Sequence, residues 1–160
     1  MNYDFDKLLN ILETLKGIEI REDYHPEKDA FFHSLQIVYN AMRESKDIEL
    51  ILAAMMHDVG KAISKHDHEK VAVEILQGLL TDKSLWLIEN HMRVWYFVEG
   101  KMIRLQKIND LVSNEWFSDL VFLARWDKMS RKADFPGCYD REKIKAKLEE
   151  MSKGETNANK

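Results

Sequence analysis

The stretch MMHDVGKAISKHDHEK, residues 55–70, ends an apolar run with an adjacent His57-Asp58 pair and then adds His66 and His68. Imidazole and carboxylate are ligands that Fe, Mn, Co, Ni and Zn accept, and they leave coordination positions open for water and substrate more readily than a closed thiolate set does. The same groups are costly to bury unless hydrogen bonds or a counter-charge compensate them. Their position directly after Ile48–Met56, a run apolar at nearly every residue, therefore needs a physical reason. A metal ion is one: it requires donors held by rigid elements, and the end of a buried helix is such an element.

The rest of the chain supplies more donors at helical spacing. His33 lies three and four residues from Ala30 and Ile37, and His68 aligns in the same way with Val71, Ala72 and Ile75, so each shares a face with apolar neighbours. His91 faces with Leu87 and Ile88, and Asp127 with Leu120, Leu123 and Ala124. Six ionisable groups thus point inward from five helices. Any one of them is unexceptional as a satisfied core residue, but the burial costs of all six accumulate with no common remedy other than a shared cation. His25 and His66 lack this inward periodicity and are read as loop or supporting residues.

The elements that must position these groups are helical. Apolar residues recur at three- and four-residue spacing, first at Phe5, Leu8, Leu9, Leu12 and Leu15 before a stop at Gly17. Further helices are predicted at about 30–44, 47–58, 67–80, 84–93, 102–112, 116–131 and 139–152, with loops signalled by Pro26, Gly60, Gly100 and Phe135-Pro136-Gly137. No strand alternation is evident. The expectation is an all-α, single-domain helical bundle over residues 1–152, with 48–56 as its hub and a disordered polar tail at 153–160.

Composition narrows the function classes. The 160 residues are 45% hydrophobic and 32% charged, with a net charge of −4, so no broad positive field exists to drive nonspecific binding to nucleic acid. No apolar run approaches the length of a membrane span, and Met1–Lys7 lacks the apolar core of a signal peptide. Cys138 is the one cysteine, which excludes a disulfide framework and fits a reducing cytoplasm. The aromatic set Trp86, Trp95, Tyr96, Phe97 and Trp116 is read as core rather than as a stacking platform. Lys101, Arg104 and Lys107 are read as a solvated helix face.

The ordered set His33, His57-Asp58 and Asp127, with the extended string HDVGK at 57–61, resembles the HD superfamily of metal-dependent phosphohydrolases. Within it the local strings are similar to those of the HD domain attached to bacterial tRNA nucleotidyltransferases: YHPEKDAFFHSL at 24–35, HDHEKVAVEIL at 66–76, IENHM at 88–92 and WDKMSR at 126–131. Ser130 stands where that pattern has Gly before the arginine. No nucleotidyltransferase domain is evident, so a tRNA substrate is not implied.

The resemblance implies cleavage of a phosphomonoester or phosphodiester, often of a nucleotide or cyclic nucleotide, by a metal-activated water. It implies one or two divalent ions (Mn, Fe, Co, Ni, Mg or Zn) held by His33, His57, Asp58, His68, His91 and Asp127. Asp58 would share ligation with orientation of the water, and Lys61 would stabilise developing phosphoryl charge. Lys128 and Arg131 are the candidate phosphate clamp. The partner is a small phosphorylated or nucleotide substrate, and homo-oligomerisation is open. Two other readings stand beside this one: a dinuclear iron oxygenase of the same fold, and a noncatalytic nucleotide-sensing module.

Overall fold

The computed structural model describes residues 1–20, 29–132 and 138–158. Eight helices occur among them: α1 (Phe5–Glu13), α2 (Ala30–Glu44), α3 (Ile48–Met56), α4 (His68–Leu76), α5 (Asp82–Val98), α6 (Leu105–Val112), α7 (Phe117–Met129) and α8 (Arg141–Ala158). A short 3₁₀ turn, Val59–Ala62, links α3 to α4. The β-structure of the described residues is a single isolated antiparallel bridge between Glu19 and Asp29. No helix in them is long and apolar enough to cross a membrane.

Side-chain caps fix where several of these helices begin. Asp4, Asp29 and Asp47 each accept a hydrogen bond from first-turn backbone N–H groups of α1, α2 and α3, and Thr81 does the same for α5 through the Ser84 N–H. The α2 and α3 caps matter most, because they set the register of His33 and of the His57-Asp58 pair.

The core is organised round α3, as its composition predicts. From Ile48 to Gly60 all side chains except that of Glu49 are buried. Helices α2, α5 and α7 pack directly on α3, and α1 and α8, which pack on each other, also touch it. Helix α4 reaches the bundle through α5 and through the 3₁₀ turn. Ion pairs tie the α1–α8 side: Arg141 meets Glu13 and Asp6, and Lys145 meets Asp6.

Three expectations are corrected. The helix expected over 47–58 ends at Met56 with His57 as its C-cap, and the chain then tightens into the 3₁₀ turn. Helix α5 runs to Val98, well past 93. Helix α8 continues beyond Ser152 to Ala158 instead of giving way to a disordered tail at 153. Apolar periodicity reports which residues are buried, whereas a helix needs only unblocked backbone and tolerable propensities, so α8 outlasts its last buried turn. Pro26, His25 and the Phe135-Pro136-Gly137 turn lie outside the described residues.

Candidate metal centre

The six inward groups meet at one end of the bundle, all of them buried. His33 comes from the first turn of α2, His57 and Asp58 from the junction after α3, His68 from the start of α4, His91 from the middle of α5 and Asp127 from the last turn of α7.

The histidines are aimed by their second nitrogens. His33 Nδ1 lies 2.9 Å from the Ser130 carbonyl, His57 Nδ1 2.8 Å from the Ala54 carbonyl and His91 Nδ1 2.6 Å from the Ile88 carbonyl. A carbonyl oxygen can only accept, so each Nδ1 carries the proton and donates it. That fixes three tautomers and turns each Nε2 toward the carboxylates.

What the Nε2 atoms face are further acceptors. His33 Nε2 lies 2.7 Å from Asp127 Oδ1. His68 Nε2 lies 3.2 Å and His91 Nε2 3.5 Å from Asp58 Oδ1, and the two Nε2 atoms are 3.2 Å apart. His57 Nε2 lies 3.2 Å from Asp58 Oδ2 and 3.9 Å from Asp127 Oδ1, and it is buried without a hydrogen-bond partner. An acceptor set against an acceptor in a dry interior requires a proton or a cation between them.

The site's electrostatics follow the same logic. Burial opposes charge on His57, but Asp58 and Asp127 outweigh it and hold its pKa above the ordinary value. Burial lowers the pKa of His91, with His57 and His68 adding repulsion. For Asp58, burial alone would raise the pKa, yet His57 and Lys61 bring it well below the carboxylate range; His33 does the same for Asp127. Two anionic carboxylates therefore stand among imidazoles whose protons a divalent ion can displace.

The donors fall into two sets, each with its ligand atoms close enough to hold one ion: His33, His57 and Asp58, and Asp58, His68 and His91. Asp58 belongs to both, one oxygen facing His57 and the other facing His68 and His91. Asp127 Oδ1 adjoins the first set through His33 and His57. The orphaned Nε2 of His57 and the purely N/O donor set fit a divalent first-row metal or Mg.

A cavity of about 510 Å³ opens over the donors. Asp58, His68, His91 and Asp127 form part of its wall, with Lys61, Lys65, Lys101 and Arg131 supplying positive charge, Glu19 and Glu99 negative charge at its edge, and Met92, Trp95 and Tyr96 an apolar side. Lys61 Nζ sits 3.1 Å from Asp58 Oδ2, at the cavity and beside the ligand cluster. Arg131 donates from Nε to the Asp127 carbonyl at 3.3 Å and lies over the Trp95 ring.

The phosphate clamp expected from Lys128 and Arg131 is corrected at one position. Lys128 is exposed and lies outside the cavity lining, because it follows Asp127 by one residue and so sits about 100° round α7. Arg131, four residues on from Asp127, returns to the cavity side. Trp86, Trp95, Phe97 and Trp116 pack against the core as expected, with Trp95 lining the cavity as well, whereas Tyr96 is exposed at the cavity and departs from the core reading. Lys65 escaped notice in the sequence, where it reads as one charge in a polar loop. His66 is exposed in that loop, and Lys101 and Arg104 precede α6 instead of lying on its face.

An all-α bundle that gathers histidines and aspartates from five segments round one buried aspartate defines a helical metal-centre protein. Residues 30–112, just over half of the 160, match the HD domain family, and the chain belongs to it. Among similar proteins, the Multifunctional CCA protein of Paraburkholderia phytofirmans is 32% identical over 80 residues, covering 46% of this chain and 20% of that protein. The Multifunctional CCA proteins of Burkholderia mallei and Burkholderia pseudomallei are each 31% identical over 80 residues, covering 46% of this chain and 19% of theirs. The chain thus spans about a fifth of the length of these relatives.

Proposed function

We propose that the protein is a metal-dependent phosphohydrolase acting on a small phosphomonoester or phosphodiester, with a nucleotide or cyclic nucleotide as the substrate class that fits the cavity. The observation that carries this reading is the pair of three-ligand sets sharing Asp58, placed in the wall of a cavity that also presents Lys61, Lys65 and Arg131. Outside the donor set the wall carries four cationic side chains, Lys61, Lys65, Lys101 and Arg131, against the two carboxylates of Glu19 and Glu99, an excess for which a phosphoryl group has a use and a neutral substrate none.

His33, His57, Asp58 and Asp127 would hold one ion and Asp58, His68 and His91 a second, which supports two ions per chain. A divalent ion bound there supplies a lowered pKa for a coordinated water and neutralises charge on phosphoryl oxygens. The protein's own groups do the rest. Asp58 presents its two oxygens to the two donor sets, and Lys61, held 3.1 Å from Asp58 Oδ2, keeps a positive charge beside the reacting phosphoryl group. Arg131, beside Asp127 in the same cavity wall, offers a guanidinium for the non-bridging oxygens.

A panel of phosphomonoesters and phosphodiesters, assayed with and without chelator, tests the proposal. Hydrolysis should vanish on chelation and return to different extents with Mn, Co, Ni, Fe or Mg. Full-rate hydrolysis in chelator would refute the metal mechanism. Aerobic turnover of a polyol or phosphonate by the ferrous protein, with no ester hydrolysis, would transfer the site to oxygen chemistry.

A further inference from the structure

Trp95 touches both halves of the proposed phosphate-binding wall. Its indole Nε1–H donates to Asp127 Oδ2 at 3.3 Å, and its ring lies under the Arg131 guanidinium, 5.8 Å from ring centroid to Cζ. Asp127 therefore has different partners on its two oxygens. Oδ2 is engaged by the indole, and Oδ1 faces His33 Nε2 at 2.7 Å, His57 Nε2 at 3.9 Å and, at the cavity edge, Arg131 Nη2 at 4.0 Å. A hydrogen bond on Oδ2 restrains rotation of the carboxylate, so the indole N–H keeps Oδ1 turned toward the imidazoles and favours ligation through that oxygen.

The position of Trp95 in the chain explains how it does this. It follows His91 by four residues on α5, so the two side chains share a face. Helix α5 thereby serves Asp58 through His91 and Asp127 through Trp95. Arg131 lies two residues beyond the last residue of α7, where no helical hydrogen bonds fix it. It is anchored by its Nε–H bond to the Asp127 carbonyl, by an ion pair of its Nη2 with Asp127 Oδ1 at 4.0 Å and by the Trp95 ring, and of these the ring is the one contact made from another helix.

We propose that Trp95 is a positioning residue for this site, with two separable actions: its N–H orients Asp127 for metal, and its ring face holds Arg131 where substrate phosphate is met. The second action rests on the phosphohydrolase reading, and the first requires only that the site binds a metal.

The test uses the full chain as Trp95→Phe, which keeps a ring for Arg131 but removes the N–H, and as Trp95→Leu, which removes both. Mn²⁺ titration of chelator-treated protein, followed by calorimetry, reads the first action without any turnover. Steady-state hydrolysis of p-nitrophenyl phosphate and bis(p-nitrophenyl) phosphate at saturating Mn²⁺ reads the second. Trp95→Phe should weaken Mn²⁺ binding about 10–100-fold, as loss of a group that orients a ligand does, and leave KM within about twofold. Trp95→Leu should show the same loss of Mn²⁺ affinity and a KM raised about tenfold. Wild-type Mn²⁺ affinity in Trp95→Phe would overturn the orienting action. A lowered melting temperature in both variants with unchanged Mn²⁺ affinity and KM would reduce Trp95 to packing. Failure of the wild type to hydrolyse either ester would sink the phosphohydrolase reading and the Arg131 action with it, while the Mn²⁺ titration would still decide the Asp127 action.

Discussion

At the scale of single residues, Gly60 shows how closely the chemistry depends on backbone packing. A Cβ built on Gly60 would lie 2.0 Å from the carbonyl oxygen of His68 and 3.0 Å from the backbone nitrogen of Ala72. Backbone atoms cannot step aside as a flexible side chain can, so the 3₁₀ turn and α4 must separate to admit a methyl group. Gly60→Ala should destabilise the protein by about 1–3 kcal/mol and shift His68 away from Asp58. Thermal melts should fall, and metal content measured on the folded fraction should drop with them. A wild-type melting curve with full metal content would show that the turn has slack this packing does not suggest.

The residue scale is also where the sequence was most informative. The inward faces of His33, His68, His91 and Asp127 were legible because helical periodicity places them among apolar neighbours, and all four are buried together. The tautomers were not legible, since they depend on the carbonyls of Ser130, Ala54 and Ile88 and so on local geometry and, for Ser130, on a contact 97 residues away. Trp95 was hidden for a related reason. A tryptophan on an amphipathic helix reads as core, and nothing in its spacing reveals that its N–H meets a carboxylate on another helix.

At the scale of elements, the helices had to be fixed against one another for the donors to converge, and Lys83 is one of the fasteners. From α5 it reaches Asp47, the cap of α3, at 2.7 Å and Asp119 on α7 at 2.8 Å. Burial disfavours its charge, but the two carboxylates more than compensate, and its pKa is raised from the ordinary 10.5 to about 12. A raised folded-state pKa means that the stabilisation is fully present below pH 10.5 and disappears as the pH climbs through about 12. Lys83→Met should therefore cost about 1 kcal/mol at neutral pH. Denaturant unfolding of the two proteins across pH 8–12 should show the gap between them closing at the alkaline end, and a gap that stayed constant or widened there would contradict this role. Helix positions were largely legible from periodicity, but such fasteners were not: Lys83, Asp47 and Asp119 are ordinary surface-type charges until the three helices come together. Gly60 marked a break after the His57-Asp58 pair, but its spacing could not show that the break takes the form of a buried 3₁₀ turn.

At the scale of the whole molecule, the donor cluster joins α2, the α3 junction, α4, α5 and α7, so an ion bound there is a cross-link over much of the bundle. Metal binds the folded arrangement and has no comparable set of donors in the unfolded chain, so binding free energy becomes folding stability. At a free metal concentration about 100 times the dissociation constant, linkage gives about 2.7 kcal/mol per ion. For a chain of this size that corresponds to a rise of about 5–10 °C in melting temperature. Mn²⁺ should thus raise the melting temperature of chelator-treated protein at pH 7.5. The increment should shrink as pH falls through the histidine range, because protons compete for the same Nε2 atoms, that of His57, whose pKa is raised, among them. Asp127→Ala should keep its helical circular dichroism while losing much of the increment, since the removed carboxylate adjoins both His33 and His57. An increment that was the same at pH 5.5 as at 7.5, or unaltered in Asp127→Ala, would mean that the stabilising ion sits elsewhere on the protein.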